Sequence, residues 1–183
     1  RGPVAVELST FAKSLVAETA FTVLATAKQL QAAGKDVVMA LSATYLEPED
    51  LTPEAFFHIN RAETWDAFVD ALRDFQAPQS NFFFASTGGD IGFIAPGLVP
   101  VRKRGWGLVP SPGWDGETDW TGYVPFDELP SILNPPSGRI VNANNRTVGD
   151  DYPYLLTRDW SAGYRAERIV EALAAQDIHD LPN

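Results

Sequence analysis

The sequence predicts an α+β fold in which helices pack on an antiparallel sheet. Apolar residues recur at helical spacing in three segments, two apolar runs flank a Gly-Gly turn, and strands and helices do not alternate in the regular order of parallel sheets. We expect the 183 residues to form a single piece of one domain. Its four parts are a helical segment over 8–33, a strand, helices and hairpin over 36–94, a long loop region rich in Pro, Gly and Trp over 95–138, and a strand, loop and helix over 139–175.

The first half of the chain carries the clearest helix signals. The pattern over 8–33 ends at Gly34, and the apolar run over 36–46 predicts a buried strand. Thr52 followed by Pro53 predicts a threonine-capped helix start. A second helix, over 64–75, has one apolar face made of Trp65, Phe68, Val69, Leu72 and Phe75.

The second half begins with the hairpin, whose strands are predicted over 81–85 and 91–94. Residues 95–138 show little periodicity. Their aromatic side chains are predicted to anchor the loop to the core, with a sugar-binding platform as the alternative. A short strand over 139–144 follows, and then a helix over about 161–175 whose inner side should hold Ile169, Val170, Ala172 and Leu173.

Composition excludes several function classes. The net charge of -10 argues against a nucleic-acid surface, and the absence of cysteine excludes disulfides and thiolate-bound metals. No apolar run reaches the roughly 18 residues of a membrane helix. The two histidines, His58 and His179, lie far apart in the sequence and lack metal-ligand spacing, so we predict no metal site and no cofactor.

Three asparagines fall within four residues after the predicted strand: Asn142, Asn144 and Asn145. A side-chain amide can stabilise an oxyanion without changing its own charge. Asparagines at strand ends more often close turns or cap helices, and local chemistry alone favours that interpretation. No serine has an evident activating base, so an enzyme nucleophile is expected to lie outside the chain.

Several motifs occur in the order found in the large subunit of the penicillin acylase family of N-terminal-nucleophile (Ntn) hydrolases. That family includes penicillin G acylases, glutaryl-type cephalosporin acylases and acyl-homoserine-lactone acylases. The chain resembles it most over about 60–170, and the matching pieces are AETWDAF at 62–68, PQSNFFFAS at 78–86, GDIGF at 89–93, GLVPVR at 97–102, VPSPGW at 109–114, WTGYVPF at 120–126, NPPSG at 134–138, NANN at 142–145 and YRAERI at 164–169.

The resemblance implies part of an αββα sandwich with antiparallel sheets, within an amide hydrolase made as a zymogen. In such enzymes autocleavage frees a catalytic Ser at the start of the large subunit, with its own α-amine as base. The chain begins Arg1-Gly2-Pro3, which we take as a start inside that subunit, so the Ser would lie outside. The resemblance gives Asn144 the role of oxyanion donor and gives Arg165 the role of orienting that part of the site. Ser80 would line the acyl pocket.

The resemblance also implies small-molecule amide or acyl-homoserine lactone substrates, and partners in the remaining segments or small subunit of the same precursor. It implies a periplasmic or secreted location and, for penicillin-cleaving members, antibiotic metabolism. Nucleic-acid and membrane partners are not expected. The family's late calcium-binding Asp aligns with Leu156, so calcium is not expected, and Ser86 in place of an Asp predicts the loss of a hairpin hydrogen bond. The alternative function is a non-catalytic binding or interaction module that uses the loop aromatics of 106–126.

Overall fold

The computed structural model describes residues 28–35 and 40–175. Most of the predicted first helix lies outside these residues, and within them residues 28–32 are helical. The described residues divide into two compact units, one that includes 28–35, 40–41 and 104–118 and one that includes 42–103 and 119–175.

The strand predicted over 36–46 is wrong where it can be checked. Residues 36–39 lie outside the described residues, and Thr44–Leu46 form a 3-10 turn. Leu41 and Leu46 are 68% and 57% exposed. An apolar run becomes a buried strand only where other elements of the fold pack against its side chains. The large apolar side chains of this run are exposed among the described residues.

After the helical residues 28–32, two further helices precede the sheet. Helix α1 spans Thr52–Ile59, and helix α2 spans Trp65–Ala71 and continues into a 3-10 turn at Leu72–Asp74. Thr64 caps α2, since its Oγ1 accepts a hydrogen bond of 3.2 Å from the backbone N–H of Ala67.

Thr52 does not cap α1, which corrects the prediction. Its Oγ1 accepts hydrogen bonds from the backbone N–H groups of Gln76, at 2.9 Å, and Ala77, at 3.2 Å. The carboxylate of Asp50 accepts the N–H of Thr52 itself at 2.9 Å. Thr52 therefore ties the start of α1 to the segment that follows α2.

The described residues form five strands, and all of their pairs are antiparallel. The strands are β1 Phe82–Ala85, β2 Ile91–Ile94, β3 Pro100–Arg102, β4 Trp120–Tyr123 and β5 Ser131–Leu133. One sheet has the order β1-β2-β5, and β3 pairs with β4 in a second. The predicted hairpin is confirmed as β1–β2, with Phe83 opposite Phe93.

The helices pack on one face of the larger sheet. Their shared core contains Ala55, Phe68, Leu72, Phe75, Phe84 and Ile94. The predicted inner face of α2 is thus confirmed. Trp65 lies across Gly92, where an added Cβ would stand 2.3 Å from the indole ring. Only glycine fits at that position in β2.

The region predicted as a long loop contains strands β3, β4 and β5. Three residues of this region, Val99, Val124 and Leu129, form a second apolar cluster. These strands have only three or four residues, too few to show the alternation of a strand, and Pro100 in β3 and Gly122 in β4 are residues that argue against a strand. The sequence pattern therefore did not predict them. The β3–β4 pairing is extended by the N–H of Val124, which donates to the carbonyl of Val99 at 2.9 Å.

The loop aromatics divide between anchors and exposed side chains. Phe126 packs against both apolar clusters and carries the Arg73 guanidinium over its ring at 4.6 Å, so the anchor prediction is confirmed there. Trp114 is 87% exposed, and for this residue the prediction is wrong.

The hairpin turn keeps the hydrogen bond whose loss was predicted from Ser86. The hydroxyl of Ser86 accepts the backbone N–H of Asp90 at 3.2 Å, and the Ser86 N–H donates to the Asp90 carbonyl at 2.9 Å. The Asn134 amide donates to the Asp90 carboxylate at 2.7 Å and accepts from the N–H of Ile91 at 2.9 Å. Asn134 therefore joins the end of β5 to the hairpin.

The last helix, α3, spans Tyr164–Ala174. Ala166 is buried, whereas Ile169 and Val170 are 40% and 53% exposed and Ala172 is exposed as well, so the inward orientation predicted for these three residues is wrong. The sequence shows which face of a helix is apolar but not whether anything lies against it. Among residues 28–35 and 40–175, no helix has the length and apolar character needed to cross a bilayer.

Candidate active site

The segment that carries the three asparagines is a turn held by its own side chains. Asn142 Oδ1 accepts the N–H of Asn144 at 3.0 Å, and Asn145 Oδ1 accepts the N–H of Ala143 at 2.9 Å. Asn144 has φ +63°, a left-handed conformation that asparagine adopts more readily than most residues. These side-chain bonds replace a strand ladder, which is why the strand predicted over 139–144 is absent.

Two of the predicted site residues are in direct contact. Nη2 of Arg165, in the first turn of α3, donates to Oδ1 of Asn144 at 3.1 Å. A guanidinium can only donate, so the contacting amide atom must be the oxygen. Both hydrogens on Nδ2 of the exposed Asn144 are then available, and none of the described residues accepts from them.

A fourth amide, on Asn81, also contacts the asparagine turn. Asn81 Nδ2 donates to Asn142 Oδ1 at 3.0 Å, the same oxygen that accepts the Asn144 N–H. The backbone N–H fixes the orientation of the Asn142 amide, and the Asn142 oxygen in turn fixes that of Asn81. Nδ2 of Asn142 is buried and has no partner among the described residues.

Sequence reasoning did not identify Asn81 as part of the site and gave Asn142 only the role of closing a turn. That turn role is confirmed, and the contact with Asn81 adds to it. The one local signal was an asparagine immediately before an apolar strand, where it is a poor strand former.

Ser80, the third predicted site residue, precedes Asn81 and is half-buried. Its hydroxyl donates to the carbonyl of Pro78 at 3.0 Å, and its N–H donates to the carbonyl of Pro96 at 3.4 Å. In the described part of the chain no hydrogen bond joins Ser80 to Asn144. The connection between them runs through Asn81 and Asn142.

Other polar groups lie apart from the amide network, which consists of Asn81, Asn142, Asn144 and Arg165. A hydrogen bond to Glu128 raises the pKa of Tyr154, and burial raises that of Tyr152, whose hydroxyl donates to the Glu128 carbonyl. A cleft of about 580 Å³ lined by Glu128, Ser131 and Tyr152, among others, contains none of the predicted site residues. These tyrosines serve to hold the turn at Phe126–Glu128.

The position aligned with the resembled family's late calcium-binding Asp holds an apolar side chain. Leu156, at the position aligned with the family's late Asp, packs against the apolar cluster of Val99, Val124 and Leu129. No three His, Asp or Glu residues within 28–35 and 40–175 are placed to share a metal.

Comparison with protein families gives a match over the whole chain. The family described as penicillin amidase matches residues 1–183. The chain is 37% identical over 137 residues to the penicillin acylase 2 proenzyme of Pseudomonas sp. strain SE83, covering 75% of this chain and 18% of that protein. It is 41% identical over 131 residues to the acyl-homoserine lactone acylase QuiP of Pseudomonas aeruginosa, covering 72% of this chain and 15% of that protein.

A solved structure shows the same fold. The thermostable penicillin G acylase from Alcaligenes faecalis matches with a TM-score of 0.64 and 28% identity, over 75% of this chain and 24% of that chain. The predicted fold class, part of an Ntn-hydrolase fold, is confirmed by this match. The chain spans less than a fifth of the length of the two curated relatives described above.

Proposed function

Because its whole length matches the family, the chain belongs to the penicillin amidase family, and on this basis we propose that it is part of an amide hydrolase that works by acyl transfer. In this proposal the nucleophile is an N-terminal Ser outside the 183 residues. The chain supplies the oxyanion donor, Asn144, its orienting residue, Arg165, and one wall of the acyl pocket, Ser80.

The proposed step is attack of the Ser oxygen on the amide carbon. The Ser proton passes to its own α-amine, the carbonyl oxygen becomes an oxyanion, and the C–N bond then breaks as the leaving amine takes up that proton. Water hydrolyses the resulting ester and releases the acid. A donor in the site is useful if it meets the oxygen where negative charge develops.

The observation that carries the proposal is the bond between Arg165 and Asn144. Because Arg165 occupies Oδ1, the acceptor of the Asn144 amide is already engaged, and the Nδ2 hydrogens are the groups left to meet a substrate oxygen. The guanidinium charge also polarises the amide, which strengthens Nδ2–H as a donor. An oxyanion donor of this kind contributes about 3–4 kcal/mol to transition-state stabilisation.

The test is Asn144→Gly in the complete, fully processed enzyme. Glycine accepts φ +63° without strain, so the variant removes the amide and keeps the backbone. We expect kcat to fall by ~10²–10³-fold. Asn134→Gly is the matched control, since Asn134 is the other non-glycine residue with positive φ in the described part of the chain, at +48°, and lies outside the amide network.

Intact mass should first confirm processing, so that a block in autocleavage is not mistaken for a loss of turnover. Near-normal kcat in processed Asn144→Gly would overturn the oxyanion role. A loss of equal size in Asn134→Gly would point to general disruption of the fold.

Family membership is also our reason to propose the substrate class and the location. The relatives are named for penicillin and for acyl-homoserine lactones, and we propose that this protein cleaves the amide of one of these two classes. We propose a periplasmic or secreted location for the complete protein. Comparing the turnover of penicillin G with that of a long-chain acyl-homoserine lactone tests the substrate class. Cell fractionation tests the location.

A binding module is the second candidate function, favoured by one observation. Trp114 is 87% exposed, and an exposed indole is a common platform for sugars and other flat ligands. Under this proposal, Trp114→Ala abolishes ligand binding by the complete protein. The binding-module proposal would be rejected if the complete protein, with Trp114 intact, turned over amides and bound no carbohydrate.

A further inference from the structure

The amide of Asn81 makes a contact whose consequence extends beyond the roles proposed above. It lies one residue after Ser80 and 61 positions before Asn142, whose Oδ1 it contacts at 3.0 Å. That oxygen also accepts the Asn144 N–H at 3.0 Å. Asn81 is therefore one hydrogen-bonded residue away from the backbone of Asn144.

We propose that Asn81 is a positioning residue that fixes the oxyanion donor through Asn142, an inference that rests on the proposed function. Asn144 is held at two points, its side chain by Arg165 and its backbone N–H by Asn142. Asn142 in turn is held by Asn81. The direction in which Nδ2 of Asn144 points depends on both contacts, because the backbone position sets where the side chain starts and the Arg165 contact sets how the amide is rotated.

The state of Asn142 supports a role beyond closing the turn. Its Nδ2 is buried without a partner among the described residues, while its Oδ1 accepts two hydrogen bonds. Burying an unpaired donor is costly, and buried polar groups in proteins are nearly always paired. A residue kept only to close a turn would avoid that cost by exposing its amide.

The geometry also joins two parts of the proposed site. Ser80, in the proposed acyl pocket, and Asn81 are adjacent in the chain, so a displacement of the segment that carries Ser80 reaches Asn142 through a single hydrogen bond. Small misplacements of reacting groups can lower a rate by as much as 10²-fold. We therefore expect the loss of the Asn81 donor to affect kcat more than KM.

The experiment compares Asn81→Leu with Gln79→Leu in the complete, processed enzyme. Leucine is close in size to asparagine and lacks the donor. Gln79, two residues earlier, also donates a side-chain hydrogen bond, at 3.3 Å, but to the Ala95 carbonyl and not toward Asn144. We expect Asn81→Leu to lower kcat by ~10–100-fold with KM changed by less than ~3-fold, and Gln79→Leu to change both by less than ~3-fold.

A double mutant separates positioning from a general structural role. In the Asn144→Gly background the donor that Asn81 positions is gone, so Asn81→Leu should lower kcat by less than ~3-fold further. An equal loss in both backgrounds would overturn the inference, as would normal kcat in Asn81→Leu while Asn144→Gly is impaired. Normal kcat in Asn144→Gly would instead overturn the proposed function.

A second variant covers the case in which Asn81→Leu does not fold. Asn81→Asp has nearly the same shape and replaces the donor with an oxygen, which faces the Asn142 oxygen unfavourably. We expect the same loss of kcat in this variant. Full activity in a folded Asn81→Asp would contradict the inference.

Discussion

Arg165 and Asn144 are 21 positions apart in the sequence and are joined by one hydrogen bond of 3.1 Å, from a guanidinium Nη2 to an amide Oδ1. The bond connects the first turn of α3 to the asparagine turn. It brings together the two residues to which the family resemblance assigns catalytic roles, although neither lies in a regular strand.

Arg165→Ala should lower kcat of the complete enzyme by ~10-fold or more, because a charge-assisted hydrogen bond to the proposed oxyanion donor is lost. Arg168→Ala is the control, three residues along the same helix. Arg168 forms an exposed ion pair with Glu171 at 3.2 Å, and such pairs contribute less than ~1 kcal/mol to stability. Steady-state kinetics on both variants check the expectation, and equal effects would count against a special role for Arg165.

Ser80→Leu should change acyl-group preference. The larger side chain would fill space in the proposed acyl pocket, so kcat/KM for bulky acyl groups should fall by ~10–100-fold relative to small ones. Amides with one leaving group and a graded series of acyl groups measure this. Ser137→Leu, in the exposed turn before the asparagines, is the control. A uniform decrease across the series would argue against a pocket role.

Thr52→Val should destabilise the fold by ~2 kcal/mol or more. Valine has the shape of threonine but leaves the N–H groups of Gln76 and Ala77 without their acceptor, at a site only 8% exposed. Thr52→Ser restores an acceptor oxygen and should recover most of the loss. The melting temperatures of the complete protein and its two variants test this, and equal values for valine and serine would contradict it.

Alkaline pH should weaken the contact between Tyr154 and Glu128. The hydrogen bond to Glu128 raises the pKa of Tyr154 in the folded protein. The hydrogen bond therefore contributes its full stabilisation below the unfolded-state pKa of about 10, and this stabilisation is lost as pH rises through the folded-state pKa. The melting temperature of wild type should therefore approach that of Tyr154→Phe as pH rises above about 10. Tyr164→Phe removes an exposed hydroxyl and serves as control.

The sequence predicted those parts of the fold that local chemistry determines. The Gly-Gly turn between two apolar runs predicted the β1–β2 hairpin, and helical spacing predicted the face of α2 that buries Phe68, Leu72 and Phe75. The site residues Asn144 and Arg165 came from motif order, and the structure places them in contact.

The remaining features depend on contacts that no local pattern encodes. Asn81 belongs to the amide network because of a partner 61 positions away. Strands β3 and β5 have three residues each, too few to show alternation. The apolar residues Ile169 and Val170 follow helical spacing and are nonetheless exposed, since spacing does not show what covers a face.

The amide network has a consequence for how activity should depend on pH. Its members are three asparagines and one arginine, and neither residue type gains or loses a proton under the conditions in which enzymes normally work. We therefore expect the orientation of the proposed donor to be the same in weak acid and weak base. Any inflection in a plot of log kcat against pH would then report ionisation elsewhere, foremost at the amine proposed to serve as base.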